Sequence, residues 1–367
     1  MGEELFLHMN GGKGERSYAN NSSLQRKVIL EAKPVLEETI RTLYIDSFPD
    51  CIKVADLGCS VGPNALLATS NIIDIVDTLS KHLNCEPPTF QFYLNDLFGN
   101  DFNTIFNSLP DFSKRLQEVK GHKFGPCFIN ATPGSFYGRL FPNNFIHFFH
   151  SFNSLHWLSQ DPLLGLTGET GSLNKGNCYI VNTSPSAVYK AYLNQFREGF
   201  KVFLKSRWEE LVPGGAMVLV LLGRDETPRR NIWEEVALTL NVMLLEGLIE
   251  EEKMDSFNIP TYQPTLEEIR LVIQEEGSFS LQSPKIITLP WDEGVNKGGD
   301  ASFVDGNTRA EFIANYTRAA MEPLLLAKFD ANVIDELFLR FKKKLVQLME
   351  EEILEYANLV ISLSKNG

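Results

Sequence analysis

Two glycines follow an acidic residue at the end of an apolar run, in a spacing suited to a nucleotide-like ligand. Within residues 54–64, Asp56 is followed by Gly58 and Gly62. The pattern predicts a buried parallel strand, a tight loop and a helix start, which is where open α/β sheets bind such ligands. It differs from the G-x-G-x-x-G fingerprint of dinucleotide sites. The spacing D-x-G-x-x-x-G therefore favours a ligand with a ribose and no pyrophosphate, such as S-adenosylmethionine.

Polar and aromatic residues also follow the next two predicted strands. Asp96 comes after a strand predicted at 89–94, where its carboxylate can hold a ribose diol. Capping of the following segment is the structural alternative for Asp96. Ser135 and Phe136 follow a strand predicted at 127–130 and can place a hydroxyl and an aromatic face beside an adenine. The candidate ligand set is Asp56, Gly58, Gly62, Asn64, Asp96, Ser135 and Phe136, with ordinary strand-end turns as the alternative.

A histidine and a tryptophan follow a fourth strand, which is predicted at 145–149. His156 and Trp157 could bind a second substrate, although this pair in a half-apolar segment is also typical of a protein core. His147 and His150 alternate with apolar residues on the strand, which favours a structural role. Spacing alone assigns no role to Ser22, Gln25 or Trp233.

Composition and missing motifs exclude several classes of function. The net charge of -13 disfavours nucleic acid and anionic membranes, because phosphate binding needs clustered Lys and Arg. The chain has no G-x-S-x-G, H-E-x-x-H or P-loop motif. Its five cysteines form no C-x-x-C pair, which favours buried free thiols in a reducing compartment. With no signal peptide or membrane-spanning stretch visible, we expect a cytoplasmic protein.

The alternation of strands and helices predicts an α/β fold. Apolar runs predict strands at 52–57, 89–94, 127–130, 145–149, 216–222 and 359–363. Helical periodicity predicts helices at 24–43, 64–79, 187–211, 232–247, 265–276, 308–326 and 333–352. We predict a mostly parallel, Rossmann-like sheet flanked by helices, with an α-helical cap over the ligand face. The predicted parts are a core at 1–227, a mostly helical cap at 228–355 and a last strand at 356–367.

Several blocks of sequence, in order, resemble the plant SABATH methyltransferases. That family methylates small carboxylic acids such as salicylate, benzoate and jasmonate, or the ring nitrogens of xanthines. The resemblance covers nearly the whole chain. The blocks include His8-Met9-Asn10-Gly11-Gly12, Ala55-Asp56-Leu57-Gly58-Cys59-Ser60, Leu94-Asn95-Asp96-Leu97, Pro133-Gly134-Ser135-Phe136-Tyr137, Leu155-His156-Trp157 and Asp255-Ser256-Phe257-Asn258.

The resemblance implies a cofactor, an acceptor site and an assembly. Residues implied to bind S-adenosylmethionine are Tyr18, Ser22, Asp56, Gly58, Cys59, Asn64, Asp96, Leu97, Ser135 and Phe136. Residues implied to bind the acceptor are Gln25, Asn153, His156, Trp157, Trp233 and Tyr356. A magnesium ion is implied, as in some members, at Asn174, Asp255, Phe257 and Asn258. Family members are commonly homodimers and have a helical cap on a Rossmann-like core.

Departures from the family pattern point to different acceptors. Asn153 stands where salicylate and caffeine enzymes have an aromatic residue, and jasmonate-type members have a small polar one. His156 stands where salicylate-preferring members have Met. Gln25 argues against a xanthine acceptor, whereas residues 83–85 and 165–176 resemble the caffeine-synthase branch.

These signals leave one leading hypothesis and two alternatives. The leading one is a carboxyl O-methyltransferase that makes a small methyl ester, with Gln25 and Trp157 as hydrogen-bond donors to the carboxylate. The rival enzyme is a xanthine N-methyltransferase, in which His156 would orient the ring or help to remove its proton. The third hypothesis is a non-catalytic protein that binds a small acid or the cofactor.

Overall fold

The sheet is organised around β1 (Cys51–Leu57), in which residues 54–57 are all buried. The computed structural model of the chain describes residues 7–44, 49–121, 125–168, 171–282, 284–295 and 304–366. β2 (Thr89–Asp96) pairs with one edge of β1 and β4 (Ile146–Phe152) with the other, both in parallel. β3 (Cys127–Pro133) lies parallel beyond β2. The ends of β1, β2 and β4 therefore meet at one edge of the sheet.

The other half of the sheet ends in antiparallel strands. Two short antiparallel strands, β5 (Thr167–Gly168) and β6 (Gly171–Ser172), lie outside the sheet. β7 (Leu211–Gly223) runs parallel to β4. β8 (Phe279–Leu281) and β9 (Lys285–Pro290) both pair antiparallel with β10 (Glu355–Lys365), which is itself antiparallel to β7. Within the described residues the sheet has eight strands, and the predicted α/β class with a mostly parallel sheet is confirmed.

Helices cover both faces of the sheet. They are α1 (Ser23–Glu31), α2 (Lys33–Leu43), α3 (Pro63–Leu83), α4 (Phe102–Phe106), α5 (Leu109–Lys120), α6 (Ser186–Glu210), α7 (Ile232–Leu245), α8 (Glu251–Asp255), α9 (Leu266–Glu276), α10 (Gly306–Leu326) and α11 (Ala331–Glu351). No helix among the described residues has a stretch long and apolar enough to cross a bilayer. Among the later helices, α11 packs on both α10 and α7.

Two apolar cores lie on opposite faces of the sheet. Successive side chains of a strand point to opposite faces. Val54 of β1 and Val218 of β7 therefore pack with α1, α2 and α3, whereas Ala55 and Leu219 pack with α6 and the later helices. These strands are buried on both sides, which explains their continuous apolar sequence.

The structure differs from the predicted elements at three places. The helix predicted at 24–43 is broken at Ala32, because Pro34 in the first turn of α2 cannot donate a backbone hydrogen bond. The mostly helical segment 228–355 also contains β8 and β9, whose short runs show little strand periodicity and gain their partner only from β10. The five cysteines are free, but only Cys59 and Cys178 are buried as predicted; Cys51 and Cys127 are partly buried and Cys85 is exposed.

Gly62, at the start of α3, has a backbone that only glycine tolerates without strain. Its φ is 103°, and a Cβ there would lie 2.7 Å from Cα of Ala19. That neighbour is backbone of the N-terminal segment and cannot rotate away. Gly14, in contrast, has no atom within 4 Å of the position of a Cβ.

We therefore expect Gly62→Ala to lower the free energy of unfolding by roughly 2 kcal/mol or more, through backbone strain and the clash with Ala19. Gly14→Ala is the matched control and should change it by less than about 0.5 kcal/mol. Urea titration of both variants measures the difference. Equal stability of the two variants would contradict the strain at Gly62.

Candidate active site

A large cavity of about 710 Å³ opens at the carboxyl ends of β1, β2 and β4. The chain passes from β1 to β2 on one side, and β4 lies on the other, so the cavity sits where open α/β sheets bind ligands. The predicted cofactor residues on its wall are Tyr18, Gly58, Asp96, Leu97, Ser135 and Phe136.

Asp96 lies at the end of β2, partly buried in this wall. One carboxylate oxygen accepts from the backbone N–H of Ser60 at 2.7 Å, and the other accepts from that of Leu97 at 2.8 Å. Burial raises the pKa of Asp96 to about 6, against the lowering effect of these two hydrogen bonds. The residue therefore both orders the turn after β1 and presents a titratable carboxyl to the cavity.

The other four residues predicted to bind the cofactor do not line the cavity, and their role stays a prediction: Ser22, Asp56, Cys59 and Asn64. The amide of Asn64 donates to the backbone carbonyl of Ser22 at 2.9 Å, so these two join the N-terminal segment to α3. Cys59 packs in the apolar core on the α3 side. After β1, the backbone rather than these side chains faces the ligand space.

Asp56 lies on β1 beside His150 of β4. The carboxylate is 3.4 Å from Nδ1 of His150, and both side chains are buried. Burial, with the charge of Asp96, raises the pKa of Asp56 well above its usual range. Burial lowers the pKa of His150 to about 3. The pair is thus a contact between two neighbouring strands, consistent with a structural His150.

A small cavity of about 50 Å³ adjoins the large one. All six predicted acceptor residues line it, although they come from four separate parts of the chain: Gln25, Asn153, His156, Trp157, Trp233 and Tyr356. Met9, Tyr18, Asn153 and Trp157 line both cavities. A methyl group held in the large cavity can therefore face a second molecule in the small one.

His156 is held as a neutral imidazole. Its Nδ1 accepts from the backbone N–H of Leu222 at 3.4 Å, and the ring is almost completely buried. Burial lowers the pKa of His156 to about 3. Since Nδ1 is the acceptor, the single ring proton lies on Nε2. His156 is therefore a hydrogen-bond donor at neutral pH and a poor base.

Sequence reasoning missed the polar floor of the small cavity. Asn358 lies on β10, directly opposite Leu222 of β7, and lines the small cavity together with Tyr356. The hydroxyl of Tyr356 is 3.0 Å from that of Tyr316 on α10. An asparagine in the apolar run of β10 was the available signal, but its significance depends on which strand face meets the cap.

A buried ion pair on α6 holds the loop 134–141, which carries Ser135 and Phe136. Arg207 donates to the carbonyls of Phe136 at 2.7 Å and Gly138 at 2.8 Å, and to the Glu210 carboxylate at 2.8 Å. Glu210 in turn accepts from the backbone N–H groups of Leu140 and Phe141 at 2.5 and 3.0 Å. Both side chains are fully buried. Sequence reasoning missed this pair, since nothing in a helix marks which charges will be buried.

The four residues implied to bind magnesium do not form a free set of ligands. The amide of Asn174 donates to the carbonyl of Tyr179 and accepts from the Ser184 hydroxyl, both at 2.8 Å. Asp255 accepts from the backbone N–H of Gly176 at 2.7 Å. Phe257 and Asn258 line the large cavity instead, where the Asn258 amide donates to Asp161 at 3.1 Å. The described residues contain no cluster of three His, Cys, Asp or Glu suited to a metal.

The fold and the two adjoining cavities define a small-molecule methyltransferase of the Rossmann-like class. The chain belongs to the family described as SAM dependent carboxyl methyltransferase, whose model matches residues 4–366, and the resemblance to the SABATH enzymes is confirmed. It is 44% identical over 365 residues to S-adenosyl-L-methionine:benzoic acid/salicylic acid carboxyl methyltransferase 3 of Petunia hybrida, covering 98% of each chain.

Two further relatives act on different acceptors. The chain is 41% identical over 373 residues to 3,7-dimethylxanthine N-methyltransferase 1 of Coffea arabica, covering 98% of this chain and 97% of that one. A solved structure of loganic acid methyltransferase with SAH superposes with a TM-score of 0.82 at 33% identity, covering 98% and 99% of the two chains. S-adenosylmethionine is therefore the cofactor.

The pKa of Asp96 predicts how cofactor binding depends on pH. The sequence predicts that this carboxylate accepts hydrogen bonds from ribose hydroxyls, and it is protonated as the pH falls through about 6. We expect the Kd for S-adenosylhomocysteine to be constant above pH 7 and to rise about tenfold per pH unit below the pKa. Calorimetric titration at pH 5 to 8 measures this. Asp96→Asn should bind weakly with a flat profile, and an unchanged profile would contradict the role of Asp96.

The ion pair on α6 predicts a selective effect on cofactor affinity. In Arg207→Lys the positive charge stays. A single ammonium group, however, cannot replace the guanidinium group, whose N–H groups reach two backbone carbonyls and the Glu210 carboxylate. We expect KM for S-adenosylmethionine to rise about tenfold or more, with a smaller change in kcat at saturating cofactor.

Arg197→Lys is the matched control, because Arg197 is on the same helix and pairs with Glu275 near the surface. Its KM should stay within about twofold of the wild type. A lower Tm of Arg207→Lys without any change in KM would show that the pair serves only stability.

Proposed function

We propose that this protein transfers the methyl group of S-adenosylmethionine to the carboxylate of a small acid, giving a methyl ester and S-adenosylhomocysteine. Membership of the carboxyl methyltransferase family supports the reaction type. The Petunia hybrida relative, named for benzoic and salicylic acid, and the loganic acid methyltransferase structure support a small acid as the acceptor.

The observation that carries the choice of a carboxylate is the absence of a base in the small cavity. Among the described residues that line it there is no Asp, Glu, Lys or Arg. Its ionisable side chains are His156 and the phenols of Tyr18, Tyr316 and Tyr356. Burial lowers the pKa of His156 to about 3 and raises the pKa of each tyrosine. No group there takes up a proton at neutral pH.

A carboxylate needs no base, because it is already ionised at neutral pH. One of its oxygens attacks the methyl carbon as the bond from that carbon to sulfur breaks, and the sulfonium charge is neutralised. The protein has to align the two molecules and exclude water from the attacking oxygen. N–H groups of Gln25, His156 and Trp233 can replace the water around the carboxylate, which reduces the cost of its desolvation.

A xanthine nitrogen is a less suitable acceptor for this cavity. Its N–H proton has to be removed as the methyl group arrives. His156 is the residue assigned to this step in the rival hypothesis, yet its Nδ1 lone pair is used by Leu222 and its Nε2 carries the proton. The N-methyltransferase of Coffea arabica shows only that a related chain acts on a xanthine.

Methyl transfer from labelled S-adenosylmethionine to a panel of carboxylic acids and xanthines tests the proposal. We expect label in base-labile methyl esters and none in xanthines. Gln25→Ala should lower kcat/KM for the best acid about tenfold or more, because it leaves the carboxylate short of a donor. Arg26→Ala, an exposed neighbour on α1, is the control. Methylation of xanthines without formation of any ester would contradict the proposal. Binding of the acid without any methyl transfer would favour a non-catalytic binding protein.

Four finer features stay predictions. The family resemblance supports a homodimer, the composition supports a cytoplasmic location, and the helices between β7 and β10 support a cap over the ligand face. Magnesium has the least support, because Oδ1 of Asn174 and Oδ1 of Asp255 each already accept a hydrogen bond from the protein.

A further inference from the structure

The small cavity contains more unpaired polar atoms than a carboxylate can satisfy. Four of its lining residues have a buried side-chain atom without a hydrogen-bond partner: Gln25 Oε1, Asn153 Nδ2, Trp233 Nε1 and Asn358 Oδ1. A buried polar atom without a partner is costly and uncommon in native proteins. Four of them around one cavity point to a ligand that pairs with them.

The four atoms divide by chemistry into two donors and two acceptors. Asn153 Nδ2 and Trp233 Nε1 are donors, and they match the oxygens of a carboxylate, which only accept. Gln25 Oε1 and Asn358 Oδ1 are hydrogen-bond acceptors. A carboxylate oxygen beside either would be repelled rather than bound. These two oxygens therefore require a group on the ligand that donates a hydrogen bond.

Asn358 is the better fixed of the two acceptors. Its amide nitrogen donates to the backbone carbonyl of Ile287 on β9 at 3.3 Å, which defines the orientation of the amide and leaves Oδ1 unpaired. The residue is 1% exposed, so its oxygen faces the cavity rather than bulk solvent. Gln25 lies on the helix side of the cavity and is only partly buried.

The position of Asn358 on β10 places its unpaired oxygen, Oδ1, on the floor of the small cavity. Across the β7–β10 pair it faces Leu222, whose N–H holds the ring of His156. Tyr356 is two residues earlier on the same face of β10, and its hydroxyl is already paired with that of Tyr316. Asn358 therefore presents the unpaired acceptor of this strand to the ligand.

We propose that the methyl acceptor is a hydroxylated carboxylic acid, whose hydroxyl donates a hydrogen bond to Asn358 Oδ1. The inference rests on the proposed function, since the donors of the cavity are assigned to the carboxylate. Asn358 acts as a specificity-determining residue. An acid without the hydroxyl leaves Oδ1 buried and unpaired in the complex, and the protein discriminates against it for that reason.

Paired acids test the inference on the wild-type protein. Suitable pairs are benzoate against its three ring-hydroxylated isomers, and an alicyclic acid against its hydroxylated forms, each with labelled S-adenosylmethionine. We expect kcat/KM for the best hydroxylated member to exceed that of its parent acid by about tenfold or more. Equal kcat/KM within every pair would overturn the inference while leaving the proposed function intact. Failure of every acid to yield a methyl ester would overturn the proposed function itself.

Asn358→Leu tests the assignment of the residue. Leu removes the unpaired oxygen, so kcat/KM for the hydroxylated acid should fall, that for the parent acid should rise, and their ratio should approach one. Ser364→Ala is the control on the same strand, because Ser364 lines neither cavity, and it should keep the wild-type ratio. A wild-type ratio in Asn358→Leu would overturn the role of Asn358. The ratio is measured within one protein preparation, so partial loss of folded protein does not affect it.

Discussion

Both cavities depend on one close backbone contact, between the turn after β1 and the N-terminal segment. At Gly62 the two backbones approach so closely that a Cβ would lie 2.7 Å from Ala19. The Asn64 amide then binds the carbonyl of Ser22, one residue before α1 begins. This contact directs α1, and with it Gln25, to the small cavity, and it places Tyr18 between the two cavities. One turn thus positions the methyl donor and the molecule that receives the methyl group.

The chemistry of the site follows from burial rather than from charged catalytic groups. The sulfonium methyl of the cofactor is already activated, so the protein need not create a strong nucleophile. Burial keeps His156 neutral and the lining tyrosines protonated, which leaves a cavity of neutral hydrogen-bond donors and acceptors. Such a cavity selects an acceptor by matching its polar groups, because each mismatch leaves an unpaired atom away from water. The charged side chains of Arg207 and Glu210 lie behind the wall of the large cavity, where they order the loop that carries Ser135 and Phe136. A buried ion pair adds little net stability, but it fixes one conformation of that loop.

The residues implied to bind the methyl acceptor line one cavity more completely than those implied to bind the cofactor line the other. Gln25, Asn153, His156, Trp157, Trp233 and Tyr356 all line the small cavity. In contrast, Ser22, Asp56, Cys59 and Asn64 do not line the large cavity, although they occupy positions implied to bind the cofactor. A motif of consecutive residues combines those that face a ligand with those that support them. In a tight turn only the backbone geometry separates the two groups.

The sequence by itself determined the fold class, the location of the ligand-binding edge and the methyltransferase family. These depend on local signals: apolar runs, glycines at a strand end, and blocks of residues in a fixed order. Only the tertiary structure decided that Asn358 of β10 lies opposite Leu222 and beside the small cavity, and that Arg207 is buried against the loop 134–141. It also decided that β8 and β9 join the sheet, since such short strands form only where β10 supplies their hydrogen-bond partners. The physical reason is the same in each case: burial and pairing are contacts between distant parts of the chain, and no local spacing encodes which face of a strand or helix they will use.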